Sequence, residues 1–230
     1  MSSVRVNSAI CGAAESSLVI VEASYMRGFC GLTLIGSHSE VCRSGLSRAH
    51  TALENMNIKI PQRKIVLSVV PADLKKDGNQ FDLPFAVSIA ILVAKKEPKV
   101  ELARWLFAAE LGLDGSLRPV KGAVCFALQA IGQKLQGIVV AKTQVYELEK
   151  FVDLQTSRQC NFQVVGFDNL KEVFEWIDTD DNIYIDRFLN KKTTKLDIPY
   201  ESYKPNFDDM LLDDHLSLAA LVAASGKHSI

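Results

Sequence analysis

Four groups of residues have the types needed for chemistry. The first closes the chain, "AASGKHSI". A phosphate-binding loop needs Gly, four residues, then Gly-Lys-Ser/Thr, so that backbone N–H groups wrap the phosphates and a hydroxyl meets magnesium. Leu221 stands where the first Gly belongs and His228 where the hydroxyl belongs, so the loop is absent as written. The second group is Cys30, His38, Cys42 and His50. Thiolate and imidazole are zinc ligands, but this spacing matches no paired zinc motif. Cys42 also falls on the apolar side of an expected helix, so ordinary packing accounts for the set and no metal site is expected. The third group is acidic. Asp73 and Asp82 resemble a carboxylate pair for acid–base work. Asp82, however, precedes an apolar helix and reads as its N-cap, and Asp73 reads as a loop organiser. Glu110 sits in a strand between apolar residues and reads as an edge-facing or paired acid. The fourth group is Arg63, Lys64, Lys75 and Lys76, near the loop "PADLKKDG". Together they form a possible nucleic-acid edge, since phosphate contact needs several cations; a solvated loop is the competing reading. Arg43 and Arg48 read as a polar helix face. No Ser/His/Asp set has a readable spacing.

The bulk numbers narrow the classes. Lys and Arg total 26 against 27 acids, a net charge of −1. No global positive field therefore draws the chain to nucleic acid or anionic lipid. Cys11, Cys30, Cys42, Cys125 and Cys160 form no CxxC. The beginning "MSSVRVNSAI" lacks the charged-then-apolar signature of a secretory leader, and no apolar run reaches membrane-spanning length. A cytoplasmic protein with reduced thiols and no membrane partner is expected.

The elements that must position these residues follow from periodicity. "SLVIVEAS" is a strand, with "GLTLIGS" as its hairpin partner. Ser37 and Glu40 form a capping box before a helix that places Val41, Gly45, Ala49 and Leu53 on one face. "KIVLSVV" reads as a strand buried on both faces. Pro84 suits the first turn of a helix that runs to about Ala94 and is apolar all round, hence central. "WLFAAELGLDGSLRPV" is strand, two-residue Asp114-Gly115 turn and strand. Helix "KGAVCFALQAIGQK", strand "GIVVA", helix "TQVYELEKF", strand "NFQVVGF" and helix "NLKEVFEWI" complete an α+β domain with a mixed sheet over residues 1–178. Residues 179–205 read as a linker. Residues 206–230 hold a helix, Leu216 to Ala224, a terminating Gly226 and a strand start at "HSI", too little to bury itself.

Three strings, "GLTLIG", "PADLKKDGNQFDLPFAVSIAILVA" and "AELGLDGSLRPVKGAV", together resemble the N-terminal domain of the ComM/YifB family over residues 4–176. These are bacterial AAA+ ATPases of magnesium-chelatase-like or competence type. Pro71, Ala72, Asp73, Lys76, Gly78, Asp82, Leu83 and Pro84 match the family's middle motif, and Glu110, Asp114, Gly115 and Gly122 its later one. The resemblance implies structural or interface roles for them. The chain departs from the family at Gly28-Phe29-Cys30, at Ser37-His38 and at Ala109. The resemblance further implies a Lon-protease-like fold for residues 1–178 and a truncated AAA+ start at 206–230. In Lon a Ser follows the "KDG" turn and a Lys precedes the later helix. Here "KDGNQFDLP" has no Ser, the Lys position falls on Val124, and Lys121 lies about a helical turn away. A non-proteolytic domain is therefore implied, without catalytic residues or cofactor of its own, serving ring assembly or substrate engagement. ATP, magnesium, a homo-oligomeric hexameric ring and DNA, in recombination or natural transformation, are implied for a full-length parent. A stand-alone interaction module and a Lon-like peptidase are the alternatives. The natural protein is expected to continue past Ile230 into a Gly-rich phosphate loop.

Overall fold

Side chains along the first strands alternate between two environments, and that alternation builds the sheet. In a computed structural model of the chain, residues 3–11, 16–36, 39–72, 74, 78–155 and 162–179 are described. The strands are β1 (Ser3–Cys11), β2 (Ser16–Met26), β3 (Gly31–Ile35), β4 (Lys64–Val70), β5 (Trp105–Phe107), β6 (Glu110–Leu111), β7 (Leu117–Arg118), β8 (Gly137–Ala141) and β9 (Gln163–Phe167). The helices are α1 (Glu40–Asn55), α2 (Asp82–Ala94), α3 (Ala123–Gly132), α4 (Val145–Gln155) and α5 (Leu170–Ile177). A seven-stranded sheet has the order β3-β4-β2-β1-β5-β8-β9, and β6 and β7 form a separate ribbon. Its pairings are antiparallel for β1–β2 and β2–β4, and parallel for β3–β4, β1–β5, β5–β8 and β8–β9. The fold is thus mixed α/β with a mostly parallel central sheet.

Two cores flank that sheet. The larger joins Val6, Val21, Leu67 and Phe107 to α1, α2 and α5. The smaller joins Ala9, Leu106 and Val140 to α3 and α4. Helix α2 is buried from Asp82 through Leu92, as expected of a helix apolar on every side. Trp176 of α5 packs edge-on against Trp105 at 4.9 Å and also meets Phe167 at 5.7 Å, tying α5 to β5 and β9.

Several expectations are corrected here. β2 and β3 are not hairpin partners: β4 lies between them, and the partner of β2 is β1. β1 escapes sequence reading because Asn7 and Ser8 interrupt its apolar run, yet both are buried. Asn7 is accommodated because its Nδ2 donates to the Ala103 carbonyl at 2.8 Å. β4 buries only Ile65, Leu67 and Val69, while its other face is half covered. α1 starts at Glu40 with Ser39 at the N-cap, so Glu40 does not occupy the third position a capping box from Ser37 requires. Such an arrangement exists instead on α5, where the Asn169 side chain accepts from the Glu172 N–H at 3.1 Å. Val41 is exposed, and Cys42 takes its place in the core. The β6–β7 loop is closed by Gly112 N–H donating to the Ser116 carbonyl at 2.9 Å, so the loop is 113–115 rather than two residues. Gly115 there has φ +82°, the left-handed conformation this loop length favours. The linker at 180–205, the helix at Leu216 to Ala224 and the strand at "HSI" lie outside the described residues, as do Ser37, His38, Asp73, Lys75, Lys76 and Cys160.

Replacing Trp176 by Ala removes the 1% exposed side chain that joins α5 to the two strands β5 and β9. Urea denaturation should show a loss of about 3–5 kcal/mol; a loss below about 1 kcal/mol would mean that α5 docks without it.

Candidate functional site

The most deeply buried charge in the described fold is Asp82, 1% exposed. It opens α2, but it does not cap it. Phe81 already has helical backbone angles, φ −83° and ψ −12°, because a short 3-10 turn, Asn79–Phe81, runs straight into the helix. The carboxylate is therefore available to α1. Arg48 Nε donates to Asp82 Oδ2 at 2.7 Å and Nη2 to Oδ1 at 3.0 Å, a two-pronged pair. Leu111 N–H donates to Oδ2 at 3.1 Å. Burial pushes the Asp82 carboxyl up from its ordinary range, against the pull of Arg48 and the Leu111 N–H. The carboxylate in turn pushes the Arg48 guanidinium up, and the geometry is that of an ionised pair.

The network extends outward. Arg48 Nη2 donates to Asn79 Oδ1 at 3.3 Å, and Asn79 Nδ2 donates to Glu110 Oε2 at 2.5 Å. Glu110 also faces Arg118 Nη1 at 3.9 Å, so it is a paired acid at the ribbon's edge. Leu83 N–H donates to the Ala109 carbonyl at 3.2 Å. α1, α2 and β6 thus meet at one carboxylate, and the 79–81 turn joins them through Arg48. Gly45 permits the approach, since a Cβ there would run into Asp82 Oδ1. Sequence reading had assigned Arg48 to a solvated face. The available signal was Gly45 and Arg48 at i and i+3, one face of one helix.

Beside this network opens a cavity of about 670 Å³ lined by Cys11, Gly78, Gln80, Glu110, Lys121 and Gly122, among others. It gathers the end of β1, the turn before α2, β6 and the start of α3. Gln80 is buried and its Nε2 donates to the Ala9 carbonyl at 3.3 Å. Gly122 holds φ +81° as the residue before α3. Lys121 is exposed, and Val124 is half-buried against the smaller core. The neighbouring Cys125 side chain, together with burial, pushes the Cys11 thiol up from its ordinary range.

The other sequence candidates are dispersed. Pro71 and Ala72 are exposed beyond β4, after a cis Val70–Pro71 peptide. Arg63 stacks over the Tyr25 ring at 4.5 Å, and Lys64 opens β4. Asp114 accepts from Ser116 N–H at 3.0 Å and from its hydroxyl at 2.7 Å, which hold its carboxyl below the ordinary range. Of the cysteine–histidine set, Cys30 is exposed, Cys42 is in the core, and His50 sits 3.8 Å from Glu54 on α1. Among the described residues no helix is long and apolar enough to cross a membrane.

Comparison with known proteins places this architecture. Residues 21–144, which include α1, α2, the ribbon and most of the cavity wall, match the family described as subunit ChlI of Mg-chelatase. The chain belongs to the ComM/YifB family of Mg-chelatase-like AAA+ proteins. It is 29% identical over 217 residues to competence protein ComM of Haemophilus influenzae, covering 94% of this chain and 40% of that protein. It is 36% identical over 127 residues to YifB of Escherichia coli, covering 54% of this chain and 24% of the relative. A Lon protease of Syntrophus aciditrophicus is 27% identical over 163 residues, covering 68% of this chain and 20% of that enzyme. The chain therefore spans well under half the length of these relatives.

Arg48→Met tests the hub. Leaving Asp82 buried without its cation should cost about 3–5 kcal/mol near neutral pH. Loss of the cation raises the folded-state pKa further above the unfolded value, so the penalty is present above the folded pKa and fades as pH falls through it. Denaturation curves at about pH 7 and about pH 4.5 should show the variant's deficit shrinking in acid, the window set by an unfolded Asp near 3.9. A deficit constant with pH would mean that Asp82 is not the group left uncompensated.

Proposed function

We propose that this chain is the N-terminal, non-proteolytic, Lon-protease-like part of a ComM/YifB-like AAA+ ATPase that acts on DNA in the cytoplasm, in recombination or natural transformation. Its role there is to support ring assembly or to engage the substrate. The observation that carries the reading is which side chains stand at the turn before α2 and at the start of α3. At the turn where a Lon-type Ser would stand, the buried side chain is Gln80, anchored to Ala9. At the start of α3, where the Lys would stand, Val124 packs into the smaller core. Nucleophile and base must be within hydrogen-bond reach of each other for that chemistry, and neither an amide nor a valine supplies it. Alignment with a Lon protease over 163 residues supports the shared architecture. ATP and magnesium are proposed for the full-length parent, with a homo-oligomeric ring as its assembly.

Two measurements test this. The chain should not turn over casein, and Lys121→Ala should leave that result unchanged; stoichiometric labelling by a serine-directed fluorophosphonate would overturn the non-proteolytic part. Binding of the chain to duplex DNA should be weak and steeply salt-dependent. Replacing Arg63, Lys64, Lys75 and Lys76 together by Ala should lower the slope of log affinity against log salt by roughly 0.9 per lost phosphate contact. An unchanged slope would remove these residues from the DNA-facing surface.

A further inference from the structure

We propose that the free edge of β3 pairs with the same edge of a second copy of this chain, antiparallel and about a two-fold axis through Thr33. β3 ends the seven-stranded sheet and pairs with β4 alone. Among the described residues no backbone bond reaches its other side. Natural sheets protect such an edge with Lys, Pro or a bulge, because its unpaired N–H and C=O groups can take up another strand. None of these devices is present here. Residues 28–36, "GFCGLTLIG", contain no charge and no proline, and the register with β4 runs through five successive residues without a bulge. The surface at this edge is apolar as well: Phe29 is 97% exposed and Ile35 52%. Thr33 and Ile35 are β-branched, a side-chain type that fits a pleated surface.

The register argues for a second copy over an unrelated strand. Gly31, Thr33 and Ile35 alternate onto one face of the sheet, in line with Lys64, Val66 and Ser68 of β4. With Thr33 on the axis, Thr33 faces its own counterpart and Gly31 faces the partner's Ile35. The space over Gly31 is open, since a Cβ there would meet nothing within 4 Å. The partner's Ile35 fills it, and the exchange is reciprocal. On the opposite face Leu32 and Leu34 lean on the larger core and stay half-buried; there Leu32 faces the partner's Leu34. Thr–Thr and aliphatic cross-strand pairs favour association, and no like charges stand opposite each other. A slip of one residue would turn the partner's leucines onto the exposed face, so the register is specified. The contact is isologous, the same patch on both copies, and closes on itself. It is therefore separate from the head-to-tail contact that a ring requires, and neither depends on the other.

Sedimentation velocity on the reduced 230-residue chain, over a dilution series, should show the mass rising with concentration from 25.4 kDa toward twice that value. Thr33→Lys sets two ammonium groups against each other on the axis and should hold the chain at the monomer mass throughout. Because Thr33 is exposed, that variant should keep the circular dichroism and melting of the native chain. A second readout fixes the register. In a chain with Cys11, Cys30, Cys125 and Cys160 replaced by Ser, Thr33→Cys should give a disulfide-linked dimer on oxidation. Ile35→Cys, whose two copies stand on either side of the axis, should give far less. If the serine variant does not fold, the comparison of the native chain with Thr33→Lys decides alone. A native chain that stays monomeric at every concentration, a Thr33→Lys chain that associates as well as the native one, or cross-linking at position 35 as readily as at 33 would overturn the proposal.

Discussion

The pairing of Asp82 with Arg48 is the constraint on which the rest of the described fold depends. A carboxylate at 1% exposure is costly unless its charge and lone pairs are met. Here they are met by groups from different parts of the chain: Arg48 on α1 and the Leu111 N–H on β6. α2 therefore docks productively only when α1 and the ribbon are already in register with it. An apolar side chain at position 82 would bury as well, but it would tolerate rotation of α2 about its axis. The charge network specifies one seating among many, which is the best-attested use of a buried ionic group.

The same network shapes the cavity. Asn79 bridges Arg48 to Glu110, and Gln80, next along the chain, turns the other way to bond Ala9 on β1. One 3-10 turn thus links the larger core's helices to the central strand. The cavity lies where these ties leave the sheet and α3 has not yet closed over it. Its geometry is inherited from the packing of α1 and α2, so the integrity of the cleft and of the hub are a single property.

Sequence legibility followed the physics of each element. α2 was plain because every face is apolar, and α3, β8, α4, β9 and α5 because strand and helix periods alternate cleanly. β1 was hidden because Asn7 and Ser8 are polar yet buried, a situation that only tertiary hydrogen bonding reveals. The false β2–β3 hairpin arose from proximity in sequence, whereas β4 supplies a longer apolar face and inserts between them. Asp82 reads from the sequence as an N-cap, which is not the role it has. Local rules make an Asp before an apolar helix a cap, and nothing local discloses that a preceding 3-10 turn frees it for Arg48.

What remains reactive around the cavity follows from what the fold has already used. Glu110 is engaged by Asn79 and Arg118, Gln80 by a backbone carbonyl, and Asp82 by a guanidinium. Polar groups so engaged are poor at proton transfer, because any change of charge would have to break a buried contact. The Lys121 ammonium borders the cavity and is exposed, and among the described residues no carboxylate lies within ion-pair distance of it and no hydroxyl side chain lines the wall. The acids beside the cleft are thus engaged in contacts that hold the fold together. Such engagement supports the proposed reading of the domain as non-proteolytic.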